Sequence, residues 1–223
     1  MVASRNEKVA LSTQIKTIEF KTVRALQPGA TKLSGRVESP NRFEGPLSGK
    51  PCALYEVKIE TKHSISTERT LIHREVSADG TLQFRDGTGS VAIDSTSMSL
   101  FFSNAETIET SMATVKNDRV ATYVASQANL NDLKSTKPFF ITEGCFQNND
   151  ILYVVGAAEI IPGTARQMKI TAENGSGALA NMPEREILAT LDALSKRTGT
   201  LAVFFFGVIL ITLSVVLILY RPK

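Results

Sequence analysis

Cysteine and histidine are scarce in this chain of 223 residues, which has two of each. Cys52 and Cys145 lie far apart, and neither belongs to a CxxC pair or has a histidine at metal-ligand spacing. We interpret them as buried structural thiols, with a disulfide and a metal role as the alternatives. His63 and His73 lie on or beside polar, strand-like segments, so we expect them to be exposed to solvent. The sequence therefore predicts no catalytic residues, no cofactor site and no metal site.

An excess of charge and a secretion signal are also missing. The 25 Lys and Arg residues nearly balance the 22 Asp and Glu residues, and the two signs alternate along the chain. A nucleic-acid-binding face, which needs clustered basic residues, is therefore not predicted. The stretch 1–16 lacks the apolar run of at least about seven residues that a signal peptide contains. We therefore expect the soluble part of the protein to lie in the cytosol.

The C-terminal part contains a long apolar run at residues 198–220, without a single charged side chain. About 20 such residues span a hydrocarbon core of about 30 Å. Lys196 and Arg197 precede the run, and Tyr220 and Arg221 close it with residues typical of membrane interfaces. The pattern predicts a single-pass, tail-anchored protein with a transmembrane helix in the lipid bilayer. The predicted anchor residues are Leu201, Phe204, Phe205, Phe206, Ile209, Leu213, Val216, Leu219 and Tyr220.

Short strand patterns with turn signals between them fill most of the remaining chain. In the stretch 52–60, Tyr55, Val57 and Ile59 alternate with charged residues, which is typical of a half-buried strand. A β-hairpin is predicted at 81–94, because two alternating segments flank an Asp-Gly turn. Further strands are predicted at 33–38, 71–76, 99–102, 139–142 and 151–155, and an irregular loop at 40–50. The predicted fold class is mainly β, a compact barrel or sandwich with one or two short helices.

Two helices interrupt this pattern. Residues 118–127 place Val120, Tyr123 and Val124 at helical spacing. Residues 181–196 begin with a capping Asn181 and continue with an apolar stripe, so an amphipathic helix is predicted that lies near the membrane surface. The stripe consists of Ile187, Leu188, Leu191 and Leu194. The predicted organisation is an N-terminal segment 1–31, a β-rich domain 32–180, a juxtamembrane helix 181–197 and the transmembrane helix 198–220.

Five short motifs follow one another along the chain. They are SGRVE (34–38), PLSGKPCALYEV (46–57), FRDGTGSV (84–91), EG (143–144) and DILYVVGAA (150–158). Their order and spacing resemble the GIDE domain, or "beside a membrane" domain, of MULAN-type mitochondrial outer-membrane ubiquitin ligases. The ligases add a RING finger, for which two cysteines and two histidines are too few. The resemblance covers roughly residues 32–220 and is to the stand-alone prokaryotic form of the family, although the usual N-terminal membrane helix is missing. Residues 13–26 are instead predicted to form a polar, β-like or partly helical segment.

The resemblance and the anchor together imply a non-enzymatic binding or scaffold module that docks a protein partner or a membrane complex beside the bilayer. Loops on a rigid β scaffold often carry binding, so the loop 40–50 and the turn 86–89 form the predicted contact surface. Its predicted contact residues are Arg42, Phe43, Lys50, Asp86 and Thr88; the alternative is that these motifs only shape the fold.

Two other functions stay open. The resemblance alone suggests a substrate-recognition or scaffold component of a ubiquitin-like conjugation pathway, with the RING supplied by another chain. A hydrolase that uses His63 or His73 is the third hypothesis. The sequence makes no prediction of the oligomeric state.

Overall fold

The computed structural model describes residues 5–39, 41, 43–62, 69–77, 81–111, 113–115, 117–127, 138–164, 167–172 and 176–193, and the structural statements below concern these residues. Its strands are β1 (Gly29–Glu38), β2 (Phe43–Glu44), β3 (Pro51–Cys52), β4 (Leu54–Lys62), β5 (Arg69–Val76), β6 (Thr81–Arg85), β7 (Ser90–Asp94), β8 (Ser99–Phe101), β9 (Glu106–Thr110), β10 (Phe139–Phe146), β11 (Ile151–Ile160), β12 (Met168–Thr171) and β13 (Ala178–Ala180). The helices are α1 (Arg5–Thr17), α2 (Asp118–Ser126) and α3, described over 184–193; 3-10 turns lie at Val23–Ala25 and Ser95–Ser97. The protein is mainly β, which confirms the coarse fold prediction.

Five strands form a closed barrel in the order β1-β6-β7-β12-β11 and back to β1. Neighbouring strands are antiparallel, except that β7 and β12 are parallel. Numbered along the chain, the five strands follow the order 1-2-3-5-4 around the ring. Closure pairs both edges of every strand in the ring, so the barrel itself has no open edge. Its interior is filled by large buried side chains such as Leu33, Phe84, Ile93, Leu152 and Ile170.

The second sheet is antiparallel and has the order β5-β4-β10-β9. Its strands are inserted into the barrel: β4 and β5 lie in sequence between β1 and β6, and β9 and β10 between β7 and β11. Helix α2, which the sequence predicts, covers one face of this sheet, and the side chain of Asn117 caps its first turn. The buried contacts between helix and sheet involve Val57, Ile59, Val120, Tyr123, Val124, Phe139 and Ile141.

Helix α1 was not predicted. The sequence suggests a polar, β-like or partly helical segment at 13–26, whereas the helix runs from Arg5 to Thr17 and buries Leu11 and Ile15. Two buried residues at a spacing of four are too short a signal to identify a helix that is otherwise polar. The strand β1 also begins at Gly29, before the predicted domain start at 32. The N-terminal segment is therefore part of the folded unit.

The buried lysine Lys32 connects the helices α1 and α3 to the barrel. Its Nζ donates a hydrogen bond to the carbonyl oxygen of Ile15, at 2.8 Å, in the last turn of α1. It also lies 3.2 Å from Oε2 of Glu184 in the first turn of α3 and 4.7 Å from the ring centre of Phe20. A cation at a helix C-terminus and a carboxylate at a helix N-terminus both complement the helix dipole. The buried charge is thus fully paired.

Helix α3 confirms the predicted helix over 184–193, but not the predicted cap. Asn181 lies before the helix, and its Oδ1 accepts a hydrogen bond from the N–H of Ser103 at 2.8 Å. Ile187 and Leu191 are buried in a cluster with Tyr153, Val155 and residues of α1, so the apolar stripe packs against the protein itself. A position near the membrane stays a prediction. Leu194 and the predicted span 198–220 lie outside the described residues. Among the helices that the structure does describe, none is long and apolar enough to cross a bilayer.

Candidate functional site

From Phe43 onwards, the predicted contact loop 40–50 is folded into a small hairpin. Strands β2 and β3 pair antiparallel, and residues 45–50 connect them; we call the unit hairpin 43–52. Inside it, the N–H of Gly45 donates to the carbonyl of Lys50 at 2.8 Å, and the N–H of Gly49 donates to the carbonyl of Gly45 at 2.8 Å. Gly49 has a φ of +70°, which favours glycine. The loop that the sequence predicts as irregular is therefore an ordered turn.

A buried carboxylate from the second sheet binds this turn. Glu143 on β10 is 6% exposed, and its Oε2 accepts a hydrogen bond from the N–H of Leu47 at 2.7 Å. The N–H of Ser48 points to the same carboxylate, 3.3 Å from Oε1. A Cβ on Gly45 would lie 2.6 Å from Oε1, so glycine leaves the space that the carboxylate needs. A buried charge is costly unless it is hydrogen-bonded, and the two backbone N–H groups provide that pairing.

A disulfide joins the same two elements. Cys52 of β3 and Cys145 of β10 are bonded, with their Cα atoms 5.8 Å apart. The interpretation as two separate buried thiols is therefore wrong, and the alternative of a disulfide is right. Sequence spacing could not decide this, because the cysteines are 93 residues apart and meet only through the sheet.

Two ion pairs lie at the rim of hairpin 43–52. Lys50 Nζ is 2.6 Å from Oε1 of Glu106 on β9, and this contact raises the pKa of Lys50. Arg119 at the start of α2 is 2.8 Å from Oε1 of Glu44. All four side chains are more than half exposed, so water screens these pairs and they add little stability. Glu143 and the disulfide are the contacts that fix the hairpin.

The predicted contact residues divide into two groups. Phe43 and Lys50 belong to hairpin 43–52, where the Phe43 ring meets the Tyr55 ring edge-on with centres 6.2 Å apart. Arg42 lies outside the described residues. Asp86 and Thr88 instead lie in the β6–β7 turn, which contacts the 3-10 turn near the N-terminus. The structure therefore brings together only part of the predicted surface.

Asp86 and Thr88 are used for internal hydrogen bonds. Asp86 Oδ2 accepts from the N–H of Val23 at 2.7 Å, and its Oδ1 accepts from the N–H and the hydroxyl of Thr88. The Thr88 hydroxyl oxygen accepts from the N–H of Arg24 at 3.1 Å. Partial burial alone would raise the pKa of Asp86, but these hydrogen bonds outweigh it and lower the pKa. The structure supports the alternative that these two residues shape the fold.

A polar network lies on the α2 side of the second sheet. Glu75 accepts hydrogen bonds from the hydroxyls of Tyr55, at 2.9 Å, and Tyr123, at 2.6 Å. His73 Nε2 lies 3.2 Å from the Tyr123 hydroxyl, and its side chain is 12% exposed. His73 is thus not the solvent-exposed histidine that we expected; His63 lies outside the described part. Burial, followed by the hydrogen bond to Glu75, raises the pKa of Tyr55 to about 12 and that of Tyr123 further. Both phenols stay neutral and join α2 to the sheet.

Comparisons of the chain with protein families, curated proteins and solved structures find no match. The resemblance to the GIDE domain therefore rests on the sequence motifs, and the structure shows where these lie. The motif 46–57 supplies the turn and Cys52, while the motif 143–144 supplies the carboxylate that binds the turn. Within the described residues, no group of three or more His, Cys, Asp or Glu side chains is arranged to hold a metal ion. Two motifs almost 100 residues apart thus form one structural unit.

Proposed function

We propose that this protein is a membrane-anchored, non-enzymatic docking module that contacts a protein partner through hairpin 43–52. The observation that carries the proposal is the attachment of this exposed turn to β10 by the buried Glu143 and by the disulfide. A loop that is already fixed before binding loses less conformational entropy when a partner binds. Binding residues also tend to lie on loops that a rigid scaffold positions.

The side chains on the outer surface of the hairpin suit a polar protein contact. Glu44, Ser48 and Lys50 are exposed, while Leu47 and Gly45 between them are buried. The charged groups are paired at the rim, so they can exchange partners at low cost when another protein approaches. Charged groups at the rim of an interface affect the orientation of the bound partner and the rate of association more than the affinity. The resemblance to the GIDE domain and the uncharged run 198–220 support the position beside a bilayer.

Site-specific photo-crosslinking tests the contact surface. A photoreactive amino acid at Lys50 of the full-length protein, in native membranes, should give a discrete adduct with a protein partner. The matched control position is Ile160, which is 52% exposed at the end of β11 on the barrel. Glu143→Gln, which weakens the attachment of the turn, should lower the adduct yield at Lys50. Identical adducts from both positions, or none from Lys50, would exclude the hairpin as the docking surface.

The identity of the adduct distinguishes the two non-enzymatic hypotheses. Recovery of an integral membrane protein or complex supports the docking module. Recovery of ubiquitin-like conjugation enzymes supports the alternative, a scaffold component of a conjugation pathway without its own RING.

Membrane attachment needs its own test. The full-length chain should stay in the membrane pellet after extraction at alkaline pH, whereas a chain that ends at residue 197 should be released.

The sequence predicts a cytosolic domain, and the disulfide favours an oxidising compartment instead. Protease treatment of intact vesicles distinguishes these two positions, because a cytosolic domain is digested without lysis and a lumenal one is not.

A further inference from the structure

A groove separates the second sheet from the helices and the barrel. It has a volume of about 520 Å³. One side is the face of β4 and β5 that α2 does not cover, and the other side is formed by α1, the segment 96–101 and α3. Ligand-binding clefts in proteins typically have volumes of about 300 to 1,000 Å³. The groove is therefore large enough for a small molecule.

The groove has an apolar side and a charged side. The apolar side chains come from α1, β5, β8, α3 and the residues before β8, and most of them are buried in the protein: Leu11, Leu71, Met98, Leu100 and Leu191. The charged side is formed by Glu56 and Lys58 on β4 and Arg74 on β5. An apolar cleft with a few placed polar groups is the usual composition of a small-molecule site.

The three charged residues form a triad around one buried carboxylate. Glu56 is 3% exposed, and its two oxygens each contact one cation. Arg74 Nε donates to Oε1 at 2.6 Å, and Lys58 Nζ lies 2.6 Å from Oε2. One negative and two positive charges leave the triad with a net charge of +1. Arg74 uses only Nε for this contact, so the rest of its guanidinium keeps donor capacity.

The remaining charged side chains along the groove leave the net positive charge of the triad in place. Lys8 on α1 lines the groove and, among the described residues, has no ion-pair partner. The two other carboxylates of the lining are Glu7 on α1 and Glu60 on β4, and Glu60 pairs with Arg69 at 3.6 Å. With Arg69 included, four cations accompany three carboxylates, so the net charge along the groove is positive, next to an apolar wall.

We propose that this groove binds a small monoanionic amphiphile, an aliphatic chain with one carboxylate. The carboxylate would interact with Arg74, Lys58 and Lys8, and the chain would lie against the apolar side. The single anionic charge matches the net charge of the triad, and a bidentate contact suits a guanidinium. A neutral chain would leave the excess positive charge of the groove without a counter-charge, and a cationic amphiphile would be repelled. This site is separate from hairpin 43–52 and does not depend on the docking role.

Photo-labelling of the full-length protein in lipid nanodiscs tests the proposal. The probe is a dodecanoate that carries a diazirine in its chain, and the labelled peptides are identified by mass spectrometry. We expect labels on groove peptides of α1, β5 and the segment 96–101. Unlabelled dodecanoate should compete, whereas dodecanol and dodecyltrimethylammonium should compete at least about tenfold less well.

Two substitutions and one control make the test specific. Lys8→Gln should lower labelling about threefold or more without affecting the fold, because Lys8 lies on α1 with no described partner. Arg74→Gln should lower it further, and a thermal melt shows whether this variant is folded. Arg85→Gln, which removes an exposed cation from the barrel, should leave labelling unchanged. Labels spread evenly over the surface, equal competition by dodecanol, or unchanged labelling in Lys8→Gln would overturn the proposal.

Discussion

Reduction of the Cys52–Cys145 disulfide should destabilise the protein without removing any other contact. The bond joins β3 to β10 across 93 residues of sequence, a segment that includes the inserted strands β4, β5 and β9 and the barrel hairpin β6–β7. A crosslink over so long a segment restricts the unfolded chain strongly, and the folded protein is correspondingly stabilised. The variant for the test is Cys52→Ala with Cys145→Ala.

The magnitude follows from the length of the closed loop. For a separation of 93 residues, the chain-entropy relation gives about 4.6 kcal/mol at 25 °C. Measured losses are commonly about 2 to 4 kcal/mol, because the unfolded state is not a random coil. We therefore expect a loss of about 3 to 4 kcal/mol. For a protein of this size 1 kcal/mol corresponds to about 2 to 4 °C, so Tm should fall by roughly 6 to 16 °C.

Thermal melts of the detergent-solubilised full-length protein, with and without a reducing agent, measure this change. The double Ala variant is the control, since its Tm should match that of the reduced protein approximately and should not respond to the reducing agent. Alkylation and mass spectrometry determine the oxidation state in each sample. A fully reduced protein whose Tm differs by less than about 2 °C from that of the oxidised protein would refute the reasoning.

Two further predictions concern single positions. Gly144→Ala places a Cβ against the ring of Phe102, so we expect a loss of about 1 to 3 kcal/mol in denaturant unfolding; Phe102→Ala in the same chain should recover part of it, and additive losses would contradict the contact. Because hydrogen bonds lower the pKa of Asp86 in the folded protein, its contribution to stability is present above the unfolded pKa of about 3.9 and is lost as the pH falls towards the folded pKa. Asp86→Asn should remove this part of the acid sensitivity in denaturant midpoints measured from pH 6 to pH 2, and an unchanged pH profile would show that Asp86 does not contribute.

The structure gives the motifs of the GIDE resemblance a physical explanation. The N–H of Leu47, in the motif 46–57, donates to the carboxylate of Glu143, in the motif 143–144. Gly45, which directly precedes the first motif, leaves space for that carboxylate. Gly144 leaves space for the Phe102 ring in the same region. These residues are explained by the construction of one hairpin on one strand, and neither chemistry nor a bound metal is needed to account for them. The outer side chains of the hairpin carry the proposed contact.

The sequence by itself predicted those secondary-structure elements whose hydrophobic periodicity lies within a short segment. The hairpin 81–94 is confirmed, because its two-residue period and its turn lie within one short segment. The helix 118–127 is also confirmed, because its three apolar residues at helical spacing lie close together in sequence. The charge-free run 198–220 predicts the anchor by composition alone. These properties depend on neighbours along the chain and need no knowledge of the fold.

Only the tertiary structure decided which distant residues meet. The disulfide, the binding of the Leu47 N–H by Glu143 and the closure of the barrel all join residues far apart in sequence. A strand pattern shows that Glu56 alternates with apolar residues, but not that its face lines a groove with a helix opposite. Pairing between strands is set by the global packing of the core, so no local signal records it. For that reason the sequence could predict that the 40–50 loop carries a contact, but not that β10 holds it in place.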